Sequence, residues 1–279
     1  MKAEDARKMT DDALARLATA LEQGRSESLT QYLAVMARFH RYSFGNILLI
    51  LSQRPEATRV AGFNAWLNLK RFVRKGERGI AIFAPMRLRV RDDDRREPSP
   101  SNDEAARAVL RFRVVHVFDI AQTDGEPLPE PARVQGDASV YTLRLQAYVA
   151  ACGITLDRAD VPFGADGVST GGRIAVRPDL SPAEEFAVIV HELAHELQHR
   201  GEDRRDFSKT VRETEAEAVA FVVSAAIGLD TGTAASDYIQ LYNGDKDTLS
   251  HSLDRIQKTA SSILAAIGED ADVDAPPAE

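Results

Sequence analysis

The stretch SPAEEFAVIVHELAHELQHR, residues 181–200, constrains the fold of this chain more than any other part of it. Its apolar residues recur with the period of an α-helix, and Ser181-Pro182 followed by two glutamates predicts where that helix begins. His191 and His195 are four residues apart in the motif HELAH. Successive side chains on a helix are rotated by about 100°, so both imidazoles lie on one face and can reach a single ion. The stretch therefore predicts a core helix that presents a metal-binding stripe.

Glu192 lies one step round this helix, poorly placed as a third ligand but well placed to take a proton from a water molecule at the metal. HExxH zinc sites divide the work in this way, with two histidines as ligands and the glutamate as general base. The competing interpretation is a chance match on the polar edge of a buried helix. It is disfavoured because the motif follows a predicted strand at residues 173–176 and precedes an acid-rich helix. We predict zinc as the cofactor and Glu192 as the catalytic residue, and the sequence leaves the oxyanion donor open among Tyr238, Tyr242 and His251.

A catalytic zinc needs a third protein ligand, and the later helical stretch RETEAEAVAFVVSAA is the best source of one. Glu213 and Glu217 share a face there with small alanines that allow close approach to the HELAH helix. We predict Glu213 as the third ligand and Glu217 as an acceptor that orients a ligand histidine. Glu215 remains an alternative if the helix is rotated. His199 lies two turns from His191, too far for one ion, and is predicted to cap the helix instead.

Charge is divided unevenly along the chain. The whole sequence has 35 Lys and Arg against 43 Asp and Glu, yet residues 28–91 contain twelve basic and two acidic residues. Aromatic residues are interleaved with these cations, which suits a single-stranded nucleic acid because phosphates need neutralising and unpaired bases stack on exposed rings. The competing interpretation is a solvated basic surface over an aromatic core. We predict nucleic-acid contacts at Tyr42, Trp66, Lys70, Arg71, Arg74, Lys75 and Arg78.

The order of predicted elements indicates an α+β protein of two domains. Helices are predicted at residues 5–24, 29–40, 46–52 and 63–72, strands at 80–90 and 110–120, and beyond them a helix at 140–151, the metal-site helices and two more helices up to 267. The Pro-rich residues 125–137 read as a linker. We predict a small α/β nucleic-acid-binding domain at 1–135, a mainly helical domain at 136–268 and a disordered acidic tail at 269–279, with the charged residues 92–107 as a solvent loop.

Two groups of motifs carry a resemblance to a known family. YSFGNILLIL, the lone tryptophan and VRKGERGIAIFAP resemble the N-terminal single-strand DNA-binding domain of ArdC-type antirestriction proteins, and VFDIAQTDGEPLP is similar to the strand that closes that domain. HELAH followed by ETEAEAVAF resembles the metallopeptidase half of the same proteins and of the ImmA/IrrE family. The resemblance implies a gluzincin-like zinc peptidase joined to a DNA-binding module, with Asn46 among the DNA contacts. It also implies Glu213 as the third ligand, because this residue begins the family's ExxA[N/E] segment.

These observations together predict a DNA-binding zinc metalloendopeptidase that acts on a protein substrate in antirestriction or DNA maintenance. Two alternatives stay open: a non-proteolytic protein that protects DNA and holds a structural zinc, and a protease that cleaves a repressor. We expect a cytoplasmic protein without a membrane partner, because the N-terminus lacks a signal-like apolar region and the longest near-apolar run, residues 218–229, is too short to span a bilayer.

Overall fold

The computed structural model describes residues 1–25, 27–86, 111–128, 138–161, 165–199, 207–229 and 246–268. Eight α-helices and eight strands lie within these residues. They are α1 (Ala3–Glu22), α2 (Glu27–Arg38), α3 (Phe44–Gln53), β1 (Val60–Gly62), α4 (Phe63–Asn68), β2 (Arg71–Val73), β3 (Ile80–Met86), β4 (Arg111–Asp119), β5 (Thr123–Gly125), α5 (Ala138–Ala151), β6 (Thr155–Arg158), β7 (Gly167–Ser169), β8 (Arg173–Val176), α6 (Pro182–Gln198), α7 (Lys209–Ala226) and α8 (Lys246–Ile267). The predicted α+β class is confirmed.

Most of the long predicted elements are found within two or three residues of their expected ends. The prediction of a helix over residues 63–72 is wrong in its second half, because α4 ends at Asn68 and residues 71–73 form β2 instead. Lys70 lies between them with a φ of 55°, a left-handed conformation that turns the chain into the strand. Of the two helices predicted between the metal-site helices and residue 267, α8 is found. The linker, the predicted boundary near 135, the charged residues 92–107 and the acidic tail lie outside the described residues.

The strands form three small sheets. β1, β4 and β3 make an antiparallel sheet in that order, and β2 pairs with β5. The third sheet has the order β6-β8-β7, with β6 parallel and β7 antiparallel to β8. β7 is therefore an edge strand, and it lies against α6.

Helix α3 covers the open edge of β3 with two amide side chains. Asn46 donates to the Phe83 carbonyl and accepts from the Phe83 N–H, both at 2.8 Å. Gln53 makes the same pair of bonds with Ala81, both at 2.9 Å. Each amide thus replaces the peptide group of a missing neighbouring strand, which protects an edge that would otherwise expose unpaired backbone groups.

The two halves of the sequence share one continuous apolar core. Helix α2 packs on α7, and α1 packs on α8. The side chain of Gln257 on α8 also donates to the carbonyls of His40 and Tyr42, at 3.0 and 2.9 Å. The N-terminal helices therefore contact the same two helices that follow the HELAH motif. None of the helices in the described ranges is long and apolar enough to cross a bilayer.

Candidate metal centre and nucleic-acid interface

Helix α6 forms where the sequence predicts it and for the predicted reasons. Ser181 and Glu184 make a reciprocal capping box, in which the Ser181 hydroxyl accepts from the Glu184 N–H and the Glu184 carboxylate accepts from the Ser181 N–H. The helix is anchored by a fully buried apolar face made of Phe186, Ile189, Val190, Leu193 and Ala194. It ends at Gln198, and His199 is its C-cap as predicted. The polar stripe with the two motif histidines is left facing α7.

Three side chains converge at the contact between α6 and α7. The Nε2 atoms of His191 and His195 are 3.2 Å apart, and Oε2 of Glu213 lies 3.6 and 3.4 Å from them. Bonds of 2.0–2.1 Å to one tetrahedral ion would place the ligand atoms about 3.3 Å apart. The three atoms therefore fit a shared divalent metal ion, and in the described part of the chain no other group of metal-ligating side chains is as close.

Two further acids of α7 have different environments. Oε2 of Glu217 lies 3.5 Å from Nδ1 of His191, on the side of the ring away from the ligand cluster, as expected for a residue that orients this imidazole. Glu215 faces the other way and is fully buried. Its carboxylate accepts hydrogen bonds from Arg255 on α8 and lies 3.4 Å from Nε2 of His199. The structure thus places Glu213, and not Glu215, beside the two histidines.

His191 and Glu213 of the ligand cluster shift each other's pKa values in opposite directions. Burial opposes protonation of His191, but hydrogen bonds to Glu213 and Glu217 outweigh it and raise the pKa of this imidazole to about 9. The same bonds from His191 and His195 hold the pKa of Glu213 below its ordinary range. Protonation and metal binding therefore compete, since both use the same lone pairs.

Glu192 lies beside the cluster but is not part of it. Its side chain is 8% exposed, and burial raises the pKa of the carboxyl above its usual value, although the charges of the neighbouring histidines oppose the shift. The hydroxyl of Ser169 on β7 also donates a hydrogen bond to this carboxylate. Gly167 allows this close approach of β7, because a Cβ there would lie 2.5 Å from Cγ1 of Val188 and 3.2 Å from Oε1 of Glu192.

Glu196 is a positioning residue that the sequence analysis missed. Its buried carboxylate accepts from the N–H groups of Gly171 and Gly172, at 2.8 and 2.7 Å, in the turn between β7 and β8. Both glycines have left-handed φ angles, 72° and 97°. The bonds hold β7 against α6 at the level of Glu192. The sequence shows only that a glutamate follows the motif, in HELAHE. It does not indicate which group that glutamate binds.

The predicted nucleic-acid contacts divide into buried and exposed residues. Trp66 is fully buried and donates its Nε1–H to the Phe118 carbonyl at 2.9 Å. Tyr42 is 2% exposed and donates to the Val60 carbonyl at 3.2 Å. Asn46 is 7% exposed and pairs with β3. These three predictions are corrected, because residues that fill the core and have engaged polar atoms offer no surface on which a base can stack.

The basic residues around the turn at Gly76 are exposed or half-buried, but several are paired. Arg71 binds the hydroxyl and carbonyl of Thr123, at 2.9 and 3.0 Å, and so joins β2 to β5. Arg74 forms ion pairs with Glu77 and Asp124, and Lys70 forms one with Glu126. Lys75 and Arg78 are exposed at the turn itself. The β2–β5 sheet is therefore less positive than its sequence suggests.

Two family models match the two halves of the chain. Residues 6–118 match the N-terminal domain of anti-restriction factor ArdC. Residues 154–247 match the IrrE N-terminal-like domain of peptidase family M78. The chain thus has an ArdC-like pair of domains.

Solved structures support the ArdC-like architecture. The Mn(II)-bound crystal structure of antirestriction protein ArdC from plasmid R388 has a TM-score of 0.52 and 18% identity, over 94% of this chain and 99% of that one. The metal-free structure of the same protein has a TM-score of 0.51 and 16% identity, over 93% and 97%. An uncharacterized Bacillus anthracis protein, pXO2-81, is 26% identical over 86% of this chain and 48% of its own length. The chain thus spans about half the length of that relative.

The burial of Trp66 predicts that its removal destabilises this ArdC-like protein. Trp66→Ala should lower the free energy of unfolding by about 3–5 kcal/mol, because it opens a cavity and leaves the Phe118 carbonyl unpaired. Phe72→Ala is the matched control and should change stability by no more than about 0.5 kcal/mol, since Phe72 is 59% exposed. Urea unfolding measures both. Quenching of the single tryptophan by added single-stranded DNA would contradict the burial.

The buried carboxylate of Glu215 predicts a second stability effect. Glu215→Ala should cost about 3 kcal/mol, the lower end of the range for breaking a buried ion pair, because Arg255 keeps some access to water. Glu217→Ala on the same helix is the control and should have a much smaller effect, since its side chain is 27% exposed. Equal losses of stability in urea for both variants would contradict the structural role of Glu215.

Proposed function

We propose that this ArdC-like protein binds single-stranded DNA with its N-terminal half and hydrolyses a protein substrate at a zinc ion held by His191, His195 and Glu213. The observation that carries the proposal is the convergence of these three ligand atoms beside Glu192, a buried acid with a raised pKa that is not itself in the cluster. Protection of entering DNA from restriction is the biological role that fits the ArdC-type domain pair.

The ligand set favours a catalytic zinc over a structural one. Structural zinc sites usually have four protein ligands, whereas catalytic sites use three, often two histidines and a glutamate, and keep one position open. The described residues bring three ligands together, at the rim of the domain: the Glu213 side chain is 50% exposed, and those of His191 and His195 are 22% and 15% exposed.

When bound, zinc supplies Lewis acidity that polarises a peptide carbonyl and acidifies a water molecule. The protein contributes the proton transfers. Glu192 takes the proton of the attacking water on its carboxylate and later gives it to the leaving amine, which a raised pKa favours. Glu217 holds His191 in the tautomer that presents Nε2. The edge strand β7 lies beside Glu192, where its backbone would pair with an extended peptide.

The test combines metal analysis with a cleavage assay. We expect the purified protein to contain one equivalent of zinc and to cleave itself or a DNA-bound protein. The assay has two arms, one with added single-stranded DNA and one without it. Removal of zinc by a chelator should stop cleavage, and added zinc should restore it. Bound zinc without cleavage in either arm would contradict the peptidase and favour the non-proteolytic protection protein. Manganese in place of zinc would correct the metal while leaving the mechanism in place.

A further inference from the structure

We infer that bases of single-stranded DNA stack on the outer face of the sheet β1-β4-β3, around Phe63 and Phe112. The sequence pattern points instead to Trp66 and the basic residues around the turn at Gly76. The inference rests on the proposed function, since it takes single-stranded DNA binding by the N-terminal half as given. It names the surface that the DNA contacts and the chemistry of that contact, which is stacking of unpaired bases on exposed rings.

Strand β4 divides its side chains between two environments. Val115 and Val117 point into the apolar core. The alternate residues of the strand lie on the opposite face, which is the outer one: Phe112, Val114, His116 and Phe118. Phe112 is 54% exposed, although it is a large apolar side chain. Strand β4 thus places a row of rings on a face that the core does not use.

Neighbouring elements extend this row of rings. Phe83 on β3 is paired with Val114 and lies on the same face, half-buried. Phe63, the first residue of α4, contacts Phe118 edge to face, with ring centroids 6.4 Å apart, and remains 50% exposed. Aromatic rings exposed to this extent and joined into one surface are typical of binding sites and not of a solvated sheet.

Gly79 keeps this face open and brings a cation to it. A Cβ at position 79 would lie 2.8 Å from Cβ of His116 and 3.1 Å from Cζ of Phe118, so the chain passes closely beneath both rings. The preceding residue, Arg78, is exposed at the border of the face. The rings are therefore bordered by an exposed cation, Arg78, whereas Arg74 is paired with Glu77 and Asp124.

The rings and the cation together select the occupant. Phosphates are attracted to Arg78, and unpaired bases stack on aromatic rings with little dependence on sequence. Bases in a duplex are already stacked on each other, so they cannot use such a surface. The occupant is therefore a single strand, and duplex DNA should bind only through the weaker, ionic part of the interaction.

The test measures binding of a fluorescently labelled oligothymidylate by anisotropy. Phe63→Ala and Phe112→Ala should each weaken binding by about five-fold or more, the range for loss of one stacked base. Phe63→Leu and Phe112→Leu keep apolar packing but remove the ring, and should weaken binding to a similar extent. Phe72→Ala is the matched control, because Phe72 is similarly exposed but lies on the β2–β5 sheet. This variant should bind as the wild type does.

The outcomes separate this inference from the proposed function. If the wild type does not bind the oligonucleotide, both the DNA-binding part of the proposed function and the inference fail. If the wild type binds and the Phe63 and Phe112 variants bind equally well, the inference alone is overturned. A loss confined to Phe72→Ala would move the stacking surface to the β2–β5 sheet. Equal affinity for duplex and single strand would exclude stacking as the contact.

Discussion

Glu192→Gln should abolish proteolysis and leave zinc content and DNA binding unchanged. Glutamine has nearly the same size as glutamate, so it fits the space beside Gly167 and can still bond to Ser169. It cannot accept the proton of the attacking water at neutral pH. Loss of a positioned general base costs about 10²–10⁴-fold in rate, so cleavage should fall at least into this range. The variant keeps all three ligand side chains, and its metal content should match that of the wild type.

Glu184→Gln is the matched control for this variant. It makes the same change on the same helix, at an exposed residue of the capping box, where glutamine also serves. It should cleave at the wild-type rate. Cleavage is measured on a fixed substrate with equal amounts of zinc-loaded protein. Wild-type activity in a pure preparation of Glu192→Gln would remove Glu192 from the mechanism and place the general base elsewhere.

Glu213→Ala should cause the largest loss of metal affinity among the three glutamates of α7. It removes one of three ligand atoms. The affinity for zinc should therefore fall by well over the roughly 10–100-fold that is typical when a residue hydrogen-bonded to a metal ligand is lost. Glu217→Ala should fall within that range, because it only releases His191 from its orientation. Competition with a chromogenic zinc chelator measures both affinities.

Fold stability separates ligand loss from unfolding when Glu213→Ala is compared with Glu215→Ala. The side chain of Glu213 is half exposed, so its removal should leave the urea midpoint of the metal-free protein close to that of the wild type. Glu215→Ala should show the reverse pattern, with reduced stability and a smaller effect on metal affinity in the folded state. A larger loss of zinc in Glu215→Ala than in Glu213→Ala, at full folding, would assign the third ligand to Glu215.

The halves of the chain are more closely joined than their sequences suggest. The composition changes sharply between the basic N-terminal part and the acidic remainder, which favours two separate domains. In the structure, α2 packs directly on α7, the helix that carries Glu213, and Gln257 on α8 donates to two carbonyls between α2 and α3. Charge patterning reports which surfaces differ, but it contains no information about which apolar faces pack together.

Local features were determined by the sequence alone. The period of apolar residues and the capping box specify α6, and four-residue spacing places His191 and His195 on one face of it. The strand at 173–176 and the helices at either end of the chain also follow from local patterns. These features depend on interactions within a few residues, so neighbouring sequence is sufficient to predict them.

Contacts between distant segments were decided only by the tertiary structure. The rotation of α7 about its axis selects Glu213 over Glu215, and packing against α6 and α8 sets that rotation. An aromatic residue in a basic segment can serve equally well as core or as binding surface, and burial against Phe118 assigns Trp66 to the core while it leaves Phe63 and Phe112 exposed. Which side of a helix or sheet meets another element depends on the whole arrangement, and residue spacing alone does not contain it.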